Sequence, residues 1–489
     1  MVTNAIDLLI ISVFAFIPLL LGEKARNMSS GSLEDFILQG RRMKLLPMYA
    51  TVFSTWMSAF AFMGGIGYFF EEGPIYMTTV GWDMLFAVLF LVLGRRIWHY
   101  GKTRGFMTGT DFFRGIYGSE RLCVIVTTIT LICTMLYLQA QIAGAVIVIQ
   151  VSTGGRISPV MGGIIFFAIL VIYLWEGGLR AVAMTDMFYG CLIVISMIST
   201  GLFLAHTAGG AGEVFRLVAE MDPQNVSISR QEEPQRLAMW VALFVIVPVG
   251  AFMGPQVWIR NYASGSAGNF TILPLLLGIS SIICVGTLLS GSAGIVLAPD
   301  AEDPSALVIQ LLQKEAHPFF QMFVTAGIFA AIFSTANSQV HALAAVFTLD
   351  VYRRRRGRRL PDRRLVMRTR WTILLICIVS YALMVLVQGG VFDLAVLGMA
   401  GMAQLIVPVV GALLWPRSSS EAAQAGILSG EAVFIGLLLL TGLDSSICGL
   451  IGLLFNGLVF VLISRIRVPD VSCAHRIAEL RREYEGMDY

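Results

Sequence analysis

Charged side chains are scarce in this sequence: Asp, Glu, Lys and Arg make up 13% of its 489 residues, whereas hydrophobic residues make up 57%. Soluble domains carry about 25% charged residues, so this share leaves too little polar surface for a water-facing body. No long polar linker interrupts the apolar runs. The composition therefore excludes an ordinary soluble enzyme and predicts one membrane domain over 1–465, followed by a short tail over 466–489.

Several functional patterns are also missing from the sequence. The seven cysteines show no CxxC spacing, which argues against a disulfide framework or a zinc site. Paired carboxylates, a histidine cluster and an activated nucleophile do not occur at useful spacing, so we expect no catalytic residues, no organic cofactor and no enzyme activity. A net charge of +3 is too small to suggest nucleic acid, and no obligate protein partner is evident.

Apolar runs of membrane-spanning length are abundant. A bilayer core of about 30 Å needs roughly 20 apolar residues per helix, and dividing the chain where charge, Gly and Pro cluster gives thirteen candidate spans. Their approximate limits are Ile6 to Leu21, Leu45 to Phe70, Thr78 to Leu93, Leu122 to Val151, Pro159 to Trp175, Ala181 to Ala205, Leu237 to Ile259, Phe270 to Ala298, Phe319 to Val351, Trp371 to Val387, Phe392 to Leu414, Ala422 to Leu440, and Cys448 to Ile463. The first run lacks a cleavage pattern, so we expect a retained helix.

Basic residues concentrate in alternate loops. With thirteen spans and an outside N-terminus, the basic segments 24–44, 95–114 and 353–370 fall on the inside, and the acidic cluster 300–303 falls outside. The positive-inside rule therefore predicts a cytoplasmic C-terminus, and the arginine run is interpreted as a topology anchor near anionic lipid. Basic loops without targeting signals suggest a multi-pass protein of the bacterial inner membrane.

Two spans are poor continuous helices. Three glycines lie close together within Phe62–Gly67 of the second span, and in the seventh span Pro248-Val249-Gly250 is followed by Gly254-Pro255. Broken helices are expected in membranes where they line a cavity, and each of these begins a set of five spans. The spacing predicts an inverted repeat, unless the glycines only serve packing. The predicted repeats cover about 45–207 and 237–415, with accessory helices at 5–22, 419–442 and 444–465.

The ninth span carries a polar stripe. Ala331, Ser334, Thr335 and Ser338 fall at i, i+3, i+4 and i+7, on one helical face. Hydroxyls and backbone carbonyls can coordinate a small hard cation. The alternative is that the hydroxyls bond back to carbonyls one turn earlier or join neighbouring helices.

Ionisable residues inside spans are functional candidates, because an uncompensated charge there costs at least about 3 kcal/mol. Asp186 near the inner end of the sixth span and Asp83 in the third are the leading cases. Either carboxylate could instead face headgroups or a neighbouring Arg. Tyr137, Gln139 and Gln141 of the fourth span are candidate solute contacts or polar groups paired between helices.

Several motifs give the sequence a resemblance to the sodium:solute symporter family. They are DFILQGRRM (Asp35 to Met43), GGLRAVAMTD (Gly177 to Asp186) and AAIFSTANSQVHALAAVFTLDVY (Ala330 to Tyr352). The resemblance implies an all-α membrane protein with the leucine-transporter fold, a 5+5 inverted repeat and about thirteen transmembrane helices. It also implies Na⁺ as the coupling ion and a small organic solute as the cargo.

The same resemblance implies where sodium binds. The first site falls on backbone carbonyls of Ser54 and Met57, on Ala331, and on the hydroxyls of Ser334 and Thr335. A candidate second site, present in some members, falls on Asp186, Ser334, Asn337 and Ser338, where Asn337 replaces a hydroxyl.

Candidate solute contacts lie near the two broken helices and in the third and fourth spans: Phe60, Asp83, Gln139, Phe252 and Gln256. Phe60-Ala61 occupies the place where sugar transporters of the family carry a polar pair, which disfavours a sugar. No Arg is expected deep in a span to pair with a carboxylate.

These observations predict a sodium-coupled symporter that imports a small organic solute by alternating access. Proton coupling on the same fold is one alternative, with Asp186 as the titrating group. A sensory module is another, although the tail after Arg465 is too short for a catalytic domain and would require a partner protein.

Overall fold

The computed structural model describes residues 20–228, 235–356, 360–386, 389–415, 417–467 and 471–485. Within these ranges the chain consists of helices and loops, with one isolated bridge between Met43 and Ser264 and no β-strand. The first predicted span, Ile6 to Leu21, lies almost entirely outside the described residues. All the later predicted spans coincide with helices.

Ten helices in the described part of the chain are long and apolar enough to cross a membrane, and a bent helix pair adds an eleventh. In the place of the fifth span lies a shorter apolar helix, Pro159–Ile172. From the second span onward the helices are Leu45–Trp56 with Phe60–Glu72, Pro74–Arg104, Glu120–Ser152, Pro159–Ile172, Gly177–Thr207, Arg236–Met253 with Pro255–Ala263, Asn269–Leu297, Pro318–Tyr352, Asp362–Leu386, Val391–Ala403 with Ile406–Leu414, Ser420–Leu440 and Ser445–Ile466. Shorter helices outside the spans are Leu33–Leu38, Gly109–Tyr117, Ala211–Met221, Leu307–Glu315 and Val471–Glu485.

The loops predicted to be cytoplasmic meet at one end of the helix bundle. The backbone N–H of Leu33 donates to a carboxylate oxygen of Asp362 at 3.1 Å, which joins the first and the last of the basic loops. The hydroxyl of Tyr100 donates to the carbonyl of Leu480 at 2.9 Å, which holds the C-terminal helix against the same end. The arrangement has one strongly basic end, as the charge distribution of the sequence predicts.

The second span breaks at Met57, seven residues before the glycines where the sequence suggested a break. The helix Leu45–Trp56 ends there because Met57 has φ −79° and ψ 70°, and the following helix is bent by 51°. The helix Phe60–Glu72 continues through the glycines with a π-helical turn. A Cβ atom at Gly67 would lie 2.8 Å from the carbonyl oxygen of Pro304, so this glycine allows close packing.

The seventh span breaks at Gly254, one of its two predicted interruptions, whereas the helix Arg236–Met253 continues through Pro248. Gly254 has φ −58° and ψ 136°, and Pro255 then begins the helix Pro255–Ala263 at a position where its missing N–H costs no helical hydrogen bond. One turn earlier, a Cβ atom at Gly250 would lie 2.1 Å from the carbonyl oxygen of Met399. The seventh and eleventh spans therefore approach each other closely beside the break.

The ninth span lies in the middle of the bundle. It packs against the second, fourth, sixth and tenth spans, and every residue from Gly327 to Val346 is buried. Polar side chains on this helix have no access to lipid headgroups or bulk water, so they must be satisfied by neighbouring helices or by a bound ligand.

Candidate functional site

Two polar stripes face each other between the second and ninth spans. On the second span, four residues occur at i, i+3, i+4 and i+7: Thr51, Ser54, Thr55 and Ser58. On the ninth span the same spacing holds for Ala331, Ser334, Thr335 and Ser338. All of these residues are buried, so the two stripes form an oxygen-rich seam in the interior of the bundle.

Direct hydrogen bonds join the stripes. The hydroxyl of Ser334 donates to the carbonyl of Ser54 at 2.7 Å, and it also contacts the carbonyl of Ala331 at 3.0 Å. The hydroxyl of Thr335 donates to the carbonyl of Thr55 at 2.9 Å. The structure therefore brings together four of the five residues predicted for the first sodium site.

Met57, the fifth predicted residue, lies at the break itself. Its backbone N–H still donates to the carbonyl of Phe53 at 2.8 Å, and the N–H of Ser58 turns back to the carbonyl of Trp56 at 3.0 Å. Regular helical bonding ends at this point, directly after the carbonyls that meet the ninth span. The side chain of Met57 is buried and lines a cavity on the other side of the break.

A buried arginine lies beside the two stripes, contrary to the expectation that no Arg lies deep in a span. Arg260 is 1% exposed, and its Nη2 atom lies 3.5 Å from a carboxylate oxygen of Asp186, which is 0% exposed. The same guanidinium donates to the hydroxyls of Thr51 at 2.7 Å and Thr55 at 3.0 Å, and to the hydroxyl of Ser338. It forms an ion pair with additional hydrogen bonds in the interior of the bundle.

Two residues of the candidate second sodium site therefore contact a positive charge that belongs to the protein. Asp186 and Ser338 both contact Arg260. The side-chain atoms of Asn337 are buried and have no hydrogen-bond partner among the described residues. Ser334 contacts the carbonyls of the first site, as described above. The predicted set is thus only partly brought together, and a guanidinium lies between its members.

Arg260 was not predicted as a buried residue, because the predicted seventh span ends at Ile259. In the structure the helix after the break runs to Ala263, so Arg260 is a full turn from the helix end and buried. The signal that was available is the polar stripe of the second span. Its spacing repeats that of the ninth span, and two of its hydroxyls, on Thr51 and Thr55, accept from this arginine.

Side chains of the fourth span satisfy the backbone at the break of the second span. The carboxamide oxygen of Gln141 accepts from the backbone N–H of Ala59 at 3.1 Å, and the hydroxyls of Tyr137 and Ser58 lie 3.3 Å apart. Gln139, which was predicted as a solute contact, bonds a carbonyl of its own helix, that of Met135, at 3.4 Å. Gln141 rather than Gln139 therefore reaches the break.

A small cavity of about 30 Å³ lies beside the break. Its lining includes two of the predicted solute contacts, Phe60 and Asp83. The other lining residues are Trp56, Met57, Ala61, Gly65, Phe69, Tyr76, Val80, Trp82, Cys284, Thr287 and Phe392. This cavity is apolar and aromatic apart from Asp83 and a few weakly polar groups.

Phe252 and Gln256 flank the break of the seventh span but do not line this cavity. The ring of Phe252 is buried and lies edge-on to Phe90, with centroids 5.3 Å apart. The carboxamide oxygen of Gln256 is buried without a hydrogen-bond partner among the described residues, while its backbone carbonyl accepts from Arg260 at 2.9 Å. These two candidates are therefore not brought together with Phe60 and Asp83 in the cavity lining.

Ten or eleven helices of membrane-spanning length in the described part of the chain, with broken helices beside facing oxygen atoms, are typical of an integral membrane transporter. The model of the sodium:solute symporter family matches residues 36–430. The chain therefore belongs to the sodium:solute symporter family.

Two relatives from staphylococci illustrate the match. The chain is 27% identical over 451 residues to the sodium/proline symporter of Staphylococcus aureus (strain USA300 / TCH1516), covering 87% of this chain and 85% of that protein. It is 26% identical over 449 residues to sodium/proline symporter 2 of Staphylococcus saprophyticus, with the same coverage of 87% and 85%.

Solved structures confirm the predicted fold. A Na⁺-coupled sialic acid symporter in a substrate-bound outward-open state superimposes with a TM-score of 0.81 at 16% identity, covering 96% of this chain and 98% of that chain. Mhp1, a nucleobase-cation-symport-1 family transporter, superimposes with a TM-score of 0.60 at 12% identity, covering 90% of this chain and 97% of that chain. The chain has the leucine-transporter fold with its 5+5 inverted repeat.

Proposed function

We propose that the protein imports a small organic solute together with sodium, by alternating access. The observation that carries this proposal is the direct contact between the carbonyls of the second span and the hydroxyls of Ser334 and Thr335 on the ninth. These spans belong to different repeats of the predicted architecture, about 45–207 and 237–415. An ion bound between them therefore bridges two bodies whose relative movement opens and closes the solute pathway.

Sodium would bind the carbonyl oxygens of Ser54, Met57 and Ala331 and the hydroxyl oxygens of Ser334 and Thr335. The hydroxyl hydrogens that now point at carbonyls would rotate away, which turns each hydroxyl from a donor into a ligand. Five neutral oxygen ligands suit a monovalent hard cation, since they supply partial negative charge without a buried countercharge. The ion would fix the end of the helix Leu45–Trp56 against the ninth span.

Arg260 supports coupling to one sodium ion rather than two. Its guanidinium contacts Asp186 and Ser338, which were predicted for the second site. Two unit charges about 4 Å apart repel by roughly 4 kcal/mol at the effective dielectric constant near 20 that applies in proteins. The guanidinium would therefore exclude a second cation. It would provide, in place of that ion, a positive charge that never dissociates.

One sodium ion is energetically sufficient for uptake. A charge that crosses about 100 mV gains about 2.3 kcal/mol, and a tenfold concentration gradient adds about 1.4 kcal/mol. Together these terms support accumulation of several hundredfold. The relatives named above are sodium/proline symporters, which makes a compound of amino acid size the first choice for the cargo. By the positive-inside rule, the basic loops support a cytoplasmic C-terminus and an outside N-terminus in a bacterial inner membrane.

The proposal is tested by uptake into proteoliposomes containing the full chain. A panel of amino acids, amines, small organic acids and vitamins is offered with an inward sodium gradient, with equal sodium on both sides, and with an inward proton gradient in sodium-free buffer. We expect concentrative uptake only with the sodium gradient. Uptake driven by protons alone would support proton coupling, and the absence of any uptake together with ligand binding would support a sensory role.

A further inference from the structure

Asp83 is a buried carboxylate without a cationic partner among the described residues. It is 4% exposed, one oxygen accepts from the indole N–H of Trp56 at 2.6 Å, and the other accepts from the thiol of Cys284 at 3.3 Å. No basic side chain of the described chain forms an ion pair with it, unlike Asp186 with Arg260. An uncompensated charge inside a membrane costs at least about 2.5 kcal/mol, so a buried carboxylate is expected to have a positively charged partner.

Aromatic rings surround this carboxylate. Trp56 stacks on Phe86 with ring centroids 4.2 Å apart, and Trp82 lies 5.7 Å from Phe60. Trp56, Phe60 and Trp82 all line the cavity into which Asp83 projects. The faces of such rings attract cations by about 0.5 to 2 kcal/mol each, most strongly where water is excluded. The carboxylate of Asp83 and the rings around it therefore both favour a positively charged ligand.

An inorganic cation does not suit this cavity. A hard metal ion requires about five or more oxygen ligands, and the side chains of the cavity offer the carboxylate of Asp83 and the hydroxyls of Tyr76 and Thr287. The hydroxyl of Thr287 already donates to the carbonyl of Cys284 at 2.8 Å. An organic cation needs few oxygens, because rings and one carboxylate replace its hydration shell.

One further polar group is available for the rest of the ligand. The hydroxyl of Tyr76 is buried, lines the cavity and has no hydrogen-bond partner among the described residues. A buried hydroxyl without a partner costs about 1 to 3 kcal/mol, which a ligand oxygen would recover.

We propose that the transported solute carries a positively charged nitrogen, which binds against Asp83 and the rings of Trp56, Phe60 and Trp82 when this cavity of about 30 Å³ widens during alternating access. The inference rests on the proposed function, since it identifies the cavity as the solute site. The ligand class is a small amine, quaternary ammonium compound or amino acid. Neutral sugars and carboxylates without a cationic nitrogen do not fit, because they would leave the charge of Asp83 unpaired.

Matched pairs of compounds test the charge directly. Choline and 3,3-dimethyl-1-butanol differ only in the replacement of the quaternary nitrogen by carbon, as do glycine betaine and 3,3-dimethylbutanoate, while proline and cyclopentanecarboxylate differ in the ring nitrogen. Each compound is titrated into the purified full chain in sodium buffer. Binding is followed by the melting temperature and by the fluorescence of the tryptophans, two of which line the cavity. We expect the charged member of at least one pair to bind at least about tenfold more tightly than its isostere.

Two variants assign the preference to Asp83. Asp83→Asn should abolish the preference for the charged member, and Asp83→Glu should retain part of it. Glu431→Gln, which removes a carboxylate from the twelfth span away from the cavity, should leave the preference unchanged. Equal binding of both members of every pair, no binding by any charged member, or an undiminished preference in a folded Asp83→Asn protein would each overturn the proposal.

Failure of this inference is distinguishable from failure of the proposed function. Sodium-driven uptake of a neutral or purely anionic solute would refute the ammonium site and leave sodium coupling intact. Ammonium binding without any sodium-driven uptake would support the site and refute the coupled import.

Discussion

The hydroxyl of Ser334 donates to the carbonyl of Ser54 at 2.7 Å, although 280 positions of sequence separate the two residues. The contact joins the ninth span to the broken second span at the point where helical bonding ends. A parallel contact joins Thr335 to Thr55 at 2.9 Å. In the proposed mechanism, sodium strengthens this junction and so selects the conformation that binds solute.

Removal of the hydroxyls at this junction should weaken sodium binding more than solute binding. In Ser334→Ala/Thr335→Ala, we expect the half-saturating sodium concentration for uptake to rise at least about tenfold, because two ligands are lost. Thr325→Ala is the matched control, since this buried hydroxyl lies on the same span and bonds the carbonyl of Gln321 of its own helix. An unchanged sodium dependence in the double variant would show that the site is elsewhere.

Neutralisation of Arg260 should destabilise the protein. Arg260→Gln leaves the carboxylate of Asp186 buried and unpaired, which costs about 3 to 5 kcal/mol, and Arg260→Gln/Asp186→Asn should recover most of this loss. Thermal unfolding in sodium-free detergent buffer measures the loss of stability in Arg260→Gln and its recovery in the double variant. Arg216→Gln, which breaks an exposed ion pair with Glu213, should change stability by less than about 1 kcal/mol.

Sodium should partly rescue Arg260→Gln. With the guanidinium absent, the carboxylate of Asp186 and the hydroxyl of Ser338 become available to a cation. We therefore expect added sodium to raise the melting temperature of this variant more than that of the wild type. An equal response of both proteins to sodium would contradict the view that Arg260 replaces a second sodium ion.

Loss of the Gln141 side chain should destabilise the break of the second span. Gln141→Leu leaves the backbone N–H of Ala59 buried without its acceptor, at a cost of about 1 to 3 kcal/mol. Gln139→Leu is the control for stability, since the carboxamide oxygen of Gln139 has no partner to lose among the described residues. Thermal unfolding of the two purified variants provides the comparison. A Gln141→Leu protein more stable than the Gln139→Leu protein would refute this role.

Acid should weaken the fold at Asp35, which lies outside the membrane spans. Burial raises the pKa of its carboxyl, but hydrogen bonds from Ser29 and Ser30 and the guanidinium of Arg180 outweigh burial and hold the pKa below its ordinary value. Because the folded pKa is lowered, the stabilisation is complete above about pH 4 and is lost as the pH falls through the folded value.

Melting temperature against pH tests this assignment. Asp35→Asn should be less stable than the wild type near neutral pH, and the difference should shrink as the pH falls below about 4. Glu302→Gln, at an exposed position in a loop, should follow the wild-type curve. A constant difference between Asp35→Asn and the wild type at every pH would contradict the ion-pair explanation.

The architecture was largely predictable because apolar length and loop charge are local properties of the sequence. The limits of the spans and the break at Gly254 follow from composition and from proline chemistry. The break at Met57 was not predictable in this way, since neither Met57 nor Ser58 is a glycine or a proline. The break is satisfied from outside the helix, by Gln141 on the fourth span.

The site was predictable only in part. Family motifs indicate Ser54, Ala331, Ser334 and Thr335, and the structure brings these residues together. Arg260 was missed because the residues after Ile259 are polar in composition, yet the helix continues and the packing of other spans buries them. Which side chains share a cavity depends on contacts between distant spans, and spacing along one helix does not contain that information.

Sodium binding to the purified protein tests the central claim most directly, because it requires no knowledge of the solute. Radioactive sodium is titrated onto the wild type, Ser334→Ala/Thr335→Ala and Thr325→Ala in detergent. The account predicts saturable binding of one ion to the wild type and to Thr325→Ala, and loss of that binding in the double variant. Equal saturable binding to all three proteins would contradict it.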